Sequence, residues 1–379
     1  MSEIISFELK KILRSKTAFF SVVFILIFIF ILSSEFIINE KIQKNENILR
    51  GFSAISVLND SSYSFTGNLT EEKISKTIKN HIKNNTLNDV ERTIISAFSE
   101  NQDISIISKL MPEDSVVFYD KYRERISKIN GIYNTNNFNK QNKIISEYEK
   151  VKQPFYYEYS EGWKKIIHGF RFLIPLLILL IGISVSSVFS SEFSNETEYI
   201  IFSSKYKKSK IIFIKILAAV FFSSLLYLIS VIIYTSVLLL IYGYGGYNLS
   251  VQMLSFISPY GLNIGGLYVL SVLTGYISMI EFVFIIFLIS TFIRKPVYLY
   301  TISALLMFLP LFITQNSEYL FFLFPVNSSD IIKVISSYTV YGFFGKQLNV
   351  YSGIILYSVI IAFAVLTFSF VRLNKYEKK

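Results

Sequence analysis

The sequence predicts an all-α polytopic membrane protein with six transmembrane helices, an N-terminal interfacial helix and a mostly helical extracellular domain between helices 1 and 2. Three observations support this fold class. Hydrophobic residues make up 52% of the chain and charged residues only 17%, against about 25% in ordinary soluble domains. Several apolar runs exceed the roughly 20 residues that a helix needs to cross a bilayer. Basic residues concentrate beside these runs, as they do on the cytoplasmic side of membranes.

Composition also restricts the kind of site that the chain can carry. There are no cysteines and two histidines, so we expect no disulfide, no thiolate nucleophile and no metal centre. The sequence has no phosphate-binding G-x-x-x-x-G-K-[ST] loop, no G-x-S-x-G and no H-E-x-x-H motif. We therefore expect neither an enzyme nor a chain that binds ATP by itself. The net charge of +10 lies mostly beside the apolar runs, which favours a lipid bilayer over nucleic acid as partner.

Residues 1–16 read MSEIISFELKKILRSK and predict an amphipathic helix in the cytoplasmic interface of the membrane. Its apolar side has four members: Ile4, Phe7, Ile12 and Leu13. The charged residues elsewhere on the helix include Glu8, Lys11 and Arg14. The alternative is a plain basic anchor in front of the first transmembrane helix, which is predicted at 17–38.

Residues 39–167 form the predicted extracellular domain. They hold 19 basic and 17 acidic side chains, and a loop of this length crosses the membrane largely regardless of its charge. Ile74, Ile78 and Ile82 are four residues apart, which is the spacing of one helix face. Two asparagine-rich stretches, 84–89 and 134–142, predict turns.

Five further apolar segments complete the predicted set of transmembrane helices: 168–190, 211–242, 267–292, 297–316 and 353–372. The cytoplasmic connections are the loop 191–210 and the tail 373–379. The extracellular ones are the loop 243–266 and the loop 317–352, which should contain short helices. Charge supports this orientation, because the short segments on the side of both termini carry 14 Lys and Arg, whereas those two loops carry two.

The cytoplasmic loop 191–210 reads SEFSNETEYIIFSSKYKKSK, and its centre is more apolar than a solvated turn requires. Acidic side chains come first, then Tyr-Ile-Ile-Phe at 199–202, then four lysines. A short helix that docks in a protein groove would use such an apolar run. The alternative is a helix that lies flat on lipid headgroups.

This loop with its flanks, FSSEFSNETEYIIFSSKYKKSKIIFIKIL at 189–217, resembles the loop between the second and third spans of ABC-2 type permeases. These are the membrane-spanning subunits of bacterial ABC exporters. The positions that match are Glu192, Asn195, Thr197, Ile200, Ile201, Ser203, Ser204, Lys208 and Lys215. Glu196 stands where the family usually has glycine, and Lys205 and Tyr206 bracket the place of a usual proline. FELKKILRSK at 7–16 resembles the family's interfacial helix, whereas 39–167 is not covered by the resemblance.

The resemblance implies a permease subunit that works with a second permease, identical or homologous, and with two copies of an ABC ATP-binding subunit. ATP and Mg would be bound by that partner and not by this chain. The loop would act as a coupling helix in a groove of the ATPase, with these contact residues: Glu192, Glu196, Glu198, Tyr199 and Phe202. Lys208 and Lys215 would mark the basic start of the third span. Closure of the ATPase pair would then drive alternating access.

Three charged residues stand inside predicted spans or at their ends. Glu281 lies near the middle of 267–292, where a charge is costly and is a functional hypothesis by default. It would pair with a basic group, stay protonated or face a wet cavity. Arg171 and Glu35 lie at the extracellular ends of their spans, where an interfacial ion pair or a snorkelling side chain is the simpler interpretation.

The resemblance, the lack of a charged polar channel and the bulky extracellular domain predict export of an amphipathic peptide or other membrane-active substrate. The alternative is an immunity or sensor protein, as in bacteriocin immunity, whose extracellular domain binds a toxic peptide without transporting it. We expect a bacterial cytoplasmic membrane protein with both termini in the cytoplasm. Frequent Ile, Phe, Lys, Asn and Tyr indicate an AT-rich, low-GC Gram-positive genome.

Overall fold

The chain is built around long apolar helices, with a largely helical segment inserted between the first two of them. The computed structural model describes residues 2–44, 47–61, 66–84, 89–99, 103–132, 138–194, 208–293, 295–313, 324–328, 330–337 and 339–375. The chain is mostly helical, as predicted. These residues also contain short antiparallel strand pairs, which the predicted all-α class leaves out.

The described helices and strands have the following bounds. The helices are α1 (Ser2–Leu13), α2 (Lys16–Asn39), α3 (Phe52–Ser61), α4 (Glu71–Asn84), α5 (Asp89–Phe98), α6 (Phe118–Ile132), α7 (Phe138–Tyr148), α8 (Glu161–Ser194), α9 (Lys208–Tyr242), α10 (Ile264–Ser290), α11 (Pro296–Ile313), α12 (Pro325–Ser328), α13 (Ile331–Ser336) and α14 (Val350–Lys375). The strand pairs are β1 (Lys41–Lys44) with β2 (Asn47–Arg50), β3 (Gly67–Asn68) with β4 (Tyr156–Tyr157), and β5 (Val340–Phe343) with β6 (Lys346–Asn349).

Within the described residues, five helices are long and apolar enough to cross a membrane. They are Lys16–Asn39, Glu161–Ser186, Ser209–Tyr242, Ile264–Ser290 and Val350–Arg372. The span predicted at 297–316 overlaps α11, whose apolar part, Pro296–Phe308, is shorter than those five. The structure therefore supports a polytopic membrane protein, and the sixth span stays a prediction.

Helix α8 begins at Glu161, ahead of the span predicted from 168. Its first turns are charged, but these charges have partners. Lys164 Nζ pairs with Asp89 and, at 2.9 Å, with Glu161, while Lys165 Nζ lies 2.9 Å from Glu40. A hydropathy pattern predicts the end of a span at the first charged residues. Here the ion pairs compensate those charges, so the helix extends into the inserted segment.

Helix α8 lies at the centre of the long helices and packs against α2, α9, α10 and α11. Its fully buried apolar side chains recur every three or four residues, the spacing of one helix face: Ile166, Phe170, Leu173, Ile174, Leu177, Ile178, Ile181 and Val185. Gly275 of α10 permits a close approach, because a Cβ there would collide with Ile174 and with the Tyr227 hydroxyl of α9. Small residues serve this purpose between membrane helices.

Hydroxyl groups join α9 to α10. The Tyr227 hydroxyl donates to the Val272 carbonyl at 3.0 Å, and the hydroxyls of Ser224 and Tyr276 are 2.8 Å apart. Water is absent from the hydrocarbon region, so polar groups there depend on such partners. These bonds therefore help to set the register of the two helices.

The segment between α2 and α8 encloses an aromatic cluster. Phe118, Tyr122 and Phe155 are buried, and Phe256, from the loop between α9 and α10, packs edge-on against all three. The Tyr119 hydroxyl donates to one backbone carbonyl at 2.8 Å and accepts one backbone N–H at 2.9 Å. The inserted segment thus shares its core with the loop that joins two spans.

The asparagine-rich stretch 134–142 is not wholly a turn. Residues 138–142 form the first part of α7, while 133–137 lie outside the described residues. Further along α7, Ile144 packs against Val340 at the start of β5. This tertiary contact favours a helix where asparagine alone indicates a turn.

Candidate functional site

Helix α1 packs against α9, and this junction is the candidate functional site. The charges at its two ends favour α1 as a helix. Glu3 lies in the first turn, where the helix dipole is positive, and Lys10 and Lys11 lie in the last turn, where it is negative. Ser15 then caps α2 by accepting the N–H of Ala18 at 3.2 Å. The chain therefore turns from α1 into the first span within a few residues.

Glu8 and Lys215 form a buried ion pair between α1 and α9. Lys215 Nζ lies 3.0 Å from Glu8 Oε1, and the two side chains are 7% and 9% exposed, respectively. Glu8 Oε2 has no hydrogen-bond partner within the described residues. Removing an ion from water costs several kcal/mol unless a counter-charge is present. The Glu8 carboxylate therefore depends on Lys215 for its counter-charge in this buried position.

The pair is a contact that the predicted amphipathic pattern of α1 does not include. Glu8 is not on the water-facing side of the helix, because Lys215 offers it a counter-charge in the interior. Of the four residues predicted to share an apolar side, Ile12 is buried, Ile4 is half-buried, and Phe7 and Leu13 are exposed. The exposed apolar side chains are free to contact lipid.

The other basic residues predicted for this region differ in their surroundings. Lys11 is half-buried and Arg14 is exposed. Lys208 is the first residue of α9, and its side chain is not among those described. Lys215 lies two turns into α9 and inside the third span predicted at 211–242.

The predicted contact residues of the loop fall largely outside the described residues. Glu192 lies in the last turn of α8, where the structure describes its backbone but not its side chain. The remaining four lie within 195–207, which the structure does not describe: Glu196, Glu198, Tyr199 and Phe202. The two ends of the loop are described, and both α8 and α9 contact α1. The helix that carries Glu8 therefore contacts the helices on both sides of the loop.

Glu281 is buried between α10 and α14. It is 1% exposed, and the side chain of the buried Ser358 in α14 hydrogen-bonds to its carboxyl group. Its Oε2 atom has no hydrogen-bond partner in the part of the chain that the structure describes. The structure thus brings Glu281 to a helix–helix contact, and its functional role stays a prediction.

Arg171 joins α8 to the segment before α14. Its Nε lies 3.0 Å from Asp330 Oδ2. Asp330 also caps α13, where its other oxygen accepts the N–H of Lys333 at 3.3 Å. Glu35, on α2, is exposed. The structure places Arg171 in an ion pair, which is the simpler interpretation, and does not bring Arg171, Glu35 and Glu281 together.

Sequence reasoning singled out Lys215 and Glu8 but did not pair them. The available signal was Lys215 itself, which interrupts the apolar run IIFIKILAA at 211–219 and therefore needs a counter-charge. Glu8 is 207 positions away in sequence, and Asp330 is 159 positions from Arg171. No local periodicity reports contacts at such separations.

Comparison with known protein families gives a match over nearly the whole chain. A family model described as ABC-2 family transporter protein matches residues 3–375. The match confirms the resemblance found in two short motifs and extends across 39–167, which those motifs did not cover. The chain has no significant match among curated proteins or solved structures.

Proposed function

The chain belongs to the ABC-2 family of transporter proteins, and from this premise we propose that it is the permease subunit of an exporter driven by a separate ATPase. It is a multi-pass protein of the cell membrane and the membrane component of an ABC transporter system, which includes an ATPase partner. The observation that carries the mechanism is the buried Glu8–Lys215 pair, which ties α1 to the helix that follows the loop 195–207.

In the proposed assembly, this permease pairs with a second one, identical or homologous, on two ATP-binding subunits that hold ATP and Mg. The loop contacts the ATPase through Tyr199 and Phe202, with Glu192, Glu196 and Glu198 before them. A nucleotide can shift the equilibrium between two conformations only through contacts that differ between them. Aromatic side chains docked in a groove that opens and closes with ATP supply such a difference.

Displacement of the loop reaches the spans by two routes in this proposal. The direct route runs into α8, which ends before the loop, and into α9, which begins after it. The second route runs through the Glu8–Lys215 pair into α1, and then through the turn capped by Ser15 into α2. A buried pair transmits displacement because separating its charges deprives the buried Glu8 carboxylate of this counter-charge. The first three spans then move together.

We further propose that the substrate is an amphipathic peptide or another membrane-active molecule, moved outward by alternating access. Support comes from the inserted segment, whose aromatic cluster includes Phe256 from the loop between α9 and α10. Because Phe256 lies in the loop that joins α9 to α10, a ligand that displaces this cluster would also displace those two spans. The proposed orientation has both termini in the cytoplasm of a low-GC Gram-positive bacterium and residues 39–167 outside, and the basic residues beside the spans support it.

Purification from the native host in detergent tests the proposal. The wild-type chain should carry an ATP-binding subunit with it and stimulate its ATPase activity when reconstituted. The variant Tyr199→Ala with Phe202→Ala should lose both properties while remaining folded. Tyr244→Ala is the matched control, since Tyr244 is exposed just beyond the opposite end of α9.

Two outcomes would overturn the proposed mechanism. Retained association and retained ATPase stimulation in the double variant would show that the loop does not couple the subunits. Recovery of the wild-type chain without any ATP-binding subunit would favour a protein that binds its ligand without transporting it.

A further inference from the structure

The β5–β6 hairpin joins directly onto α14 and ends in an exposed aromatic tip. β6 ends at Asn349 and α14 begins at Val350, so no linker separates the hairpin from this span. Phe344 and Gly345 form the two-residue turn between the strands. Phe344 is 92% exposed, the highest value among the large hydrophobic side chains that the structure describes.

The base of the hairpin is anchored in the protein. Val340, Tyr341 and Asn349 are buried. Val340 packs with Ile144 and Tyr148 of α7. The exposure of Phe344 therefore does not come from a loosely attached loop, because the other end of the same short hairpin is held.

The hairpin runs alongside α14 in the direction of that helix. Tyr341 lies against Gly353, where a Cβ would collide with its ring. The Gly342 carbonyl accepts a hydrogen bond from the Tyr357 hydroxyl at 3.1 Å, and the Phe343 and Tyr357 rings are 6.5 Å apart. Successive residues of β5 thus contact positions further along the helix. Tyr357 is seven residues into α14, or about 10 Å along its axis at 1.5 Å per residue.

The backbone of the tip is unfavourable for the residue that occupies it. Phe344 has φ +43° and Gly345 has φ +78°. A two-residue turn with positive φ at both positions normally takes Asn-Gly, since asparagine tolerates the left-handed region and a bulky side chain does not. An aromatic residue held in this conformation is an outlier of the kind that supports a functional hypothesis.

We propose that Phe344 inserts into the interfacial region of the lipid bilayer at the end where α14 enters it, so that the hairpin anchors this span. The tip lies beside a position about 10 Å along α14 from its first residue, a distance similar to the depth that interfacial amphipathic elements reach. Val359, Ile360 and Phe363, further along α14, are exposed apolar residues, so the tip lies at the start of a lipid-facing helix. Lys346 is exposed next to the turn, and its long side chain can keep its amine among the headgroups.

The natural absence of cysteine allows a direct test on the full chain. A nitroxide label is attached to Phe344→Cys in lipid nanodiscs, and its collisions with oxygen and with a water-soluble nickel chelate are measured. Phe24→Cys, on the exposed side of α2, is the lipid reference, and Met111→Cys, exposed in the inserted segment, is the water reference. The ratio of oxygen to nickel collisions at 344 should lie between those at 111 and 24 and well above that at 111.

A ratio at 344 equal to that at 111 would overturn the proposal, because the tip would lie in water. Protection from both reagents would overturn it as well, because protein, such as a second copy of the chain, would cover the tip. Neither result depends on an ATPase partner, so the outcome is separate from that of the proposed transport function.

A second variant tests the anchoring role. Phe344→Asn suits the turn and should leave the hairpin folded, but asparagine does not favour the bilayer interface. A label at Lys346→Cys should therefore become more accessible to the nickel chelate when Phe344→Asn is added. Unchanged accessibility of that label would show that Phe344 does not hold the hairpin in the bilayer.

Discussion

Replacing Lys215 alone should destabilise the protein far more than replacing both members of its ion pair. Lys215→Met keeps most of the side-chain length but leaves the Glu8 carboxylate without its counter-charge in a buried position. At 3.0 Å and an effective dielectric constant of about 20, the attraction between the two charges is about 5.5 kcal/mol before desolvation is subtracted. Removing one partner of a buried pair lowers the free energy of unfolding by about 3–5 kcal/mol.

The double variant Glu8→Leu with Lys215→Met should recover most of this loss. Two apolar side chains need no counter-charge, and replacement of a whole buried pair by apolar groups is often neutral or stabilising. The two single effects should therefore not add: because each single variant loses about 3–5 kcal/mol and the double variant loses little, a double-mutant cycle should give a coupling energy of at least about 3–5 kcal/mol.

Thermal unfolding of the purified protein in detergent measures the stability effect, and ATPase stimulation in the reconstituted complex measures coupling. Glu3→Gln and Lys10→Met are matched controls, since both residues are exposed on α1. An unfolding temperature for Lys215→Met equal to that of Lys10→Met would refute the reasoning. Strictly additive single effects would refute it too, because they would mean that the two charges do not act as a pair.

Three further predictions concern packing and the inserted segment. Gly275→Ala should reduce the free energy of unfolding by about 1–3 kcal/mol, because its Cβ would collide with Tyr227. Gly245→Ala is the control and should leave stability unchanged, since its neighbours are at ordinary contact distance. Equal unfolding temperatures for the two variants would contradict the close approach at Gly275. Burial raises the pKa of Tyr119 to about 12, so its hydroxyl stays protonated near neutral pH. Tyr119→Phe should lower the free energy of unfolding by about 1–3 kcal/mol, because it leaves two buried backbone groups without a hydrogen-bond partner. A smaller loss in chemical denaturation would mean that water replaces the hydroxyl. Burial raises the pKa of the Glu147 carboxyl, but hydrogen bonds from two lysines outweigh burial and hold it below its usual value. Its stabilisation is therefore complete above the usual pKa and lost as pH falls through the lowered one, so Glu147→Gln should be less stable than wild type at neutral pH and equal to it in strong acid; a pH-independent difference in denaturation curves would exclude this origin.

The class of fold could be predicted well from composition and hydropathy. A bilayer imposes a minimum length and an apolar surface on each helix separately, so each span is recognisable without its neighbours. Helix α2 occupies Lys16–Asn39 where the sequence predicts 17–38, and α10 occupies Ile264–Ser290 where it predicts 267–292. Helix α8 departs most, because its first turns are charged and depend on partners elsewhere in the chain.

The hairpin before α14 was not predictable from local patterns. Its turn lacks the Asn-Gly pair that marks such hairpins, and its strands are only four residues long. What supports it is the contact of its base with α7 and of its β5 strand with α14. An unfavourable local conformation persists here because the surrounding structure holds it.

By itself, the sequence determined that the chain crosses the membrane several times and that it resembles ABC-2 permeases at the loop 191–210. These properties depend on hydropathy and on short motifs, which are read within a few tens of residues. Only the tertiary structure decided which charges meet, Glu8 with Lys215 and Arg171 with Asp330. The physical reason is that a buried charge specifies only that a partner must exist, whereas the packing of helices distant in sequence selects that partner.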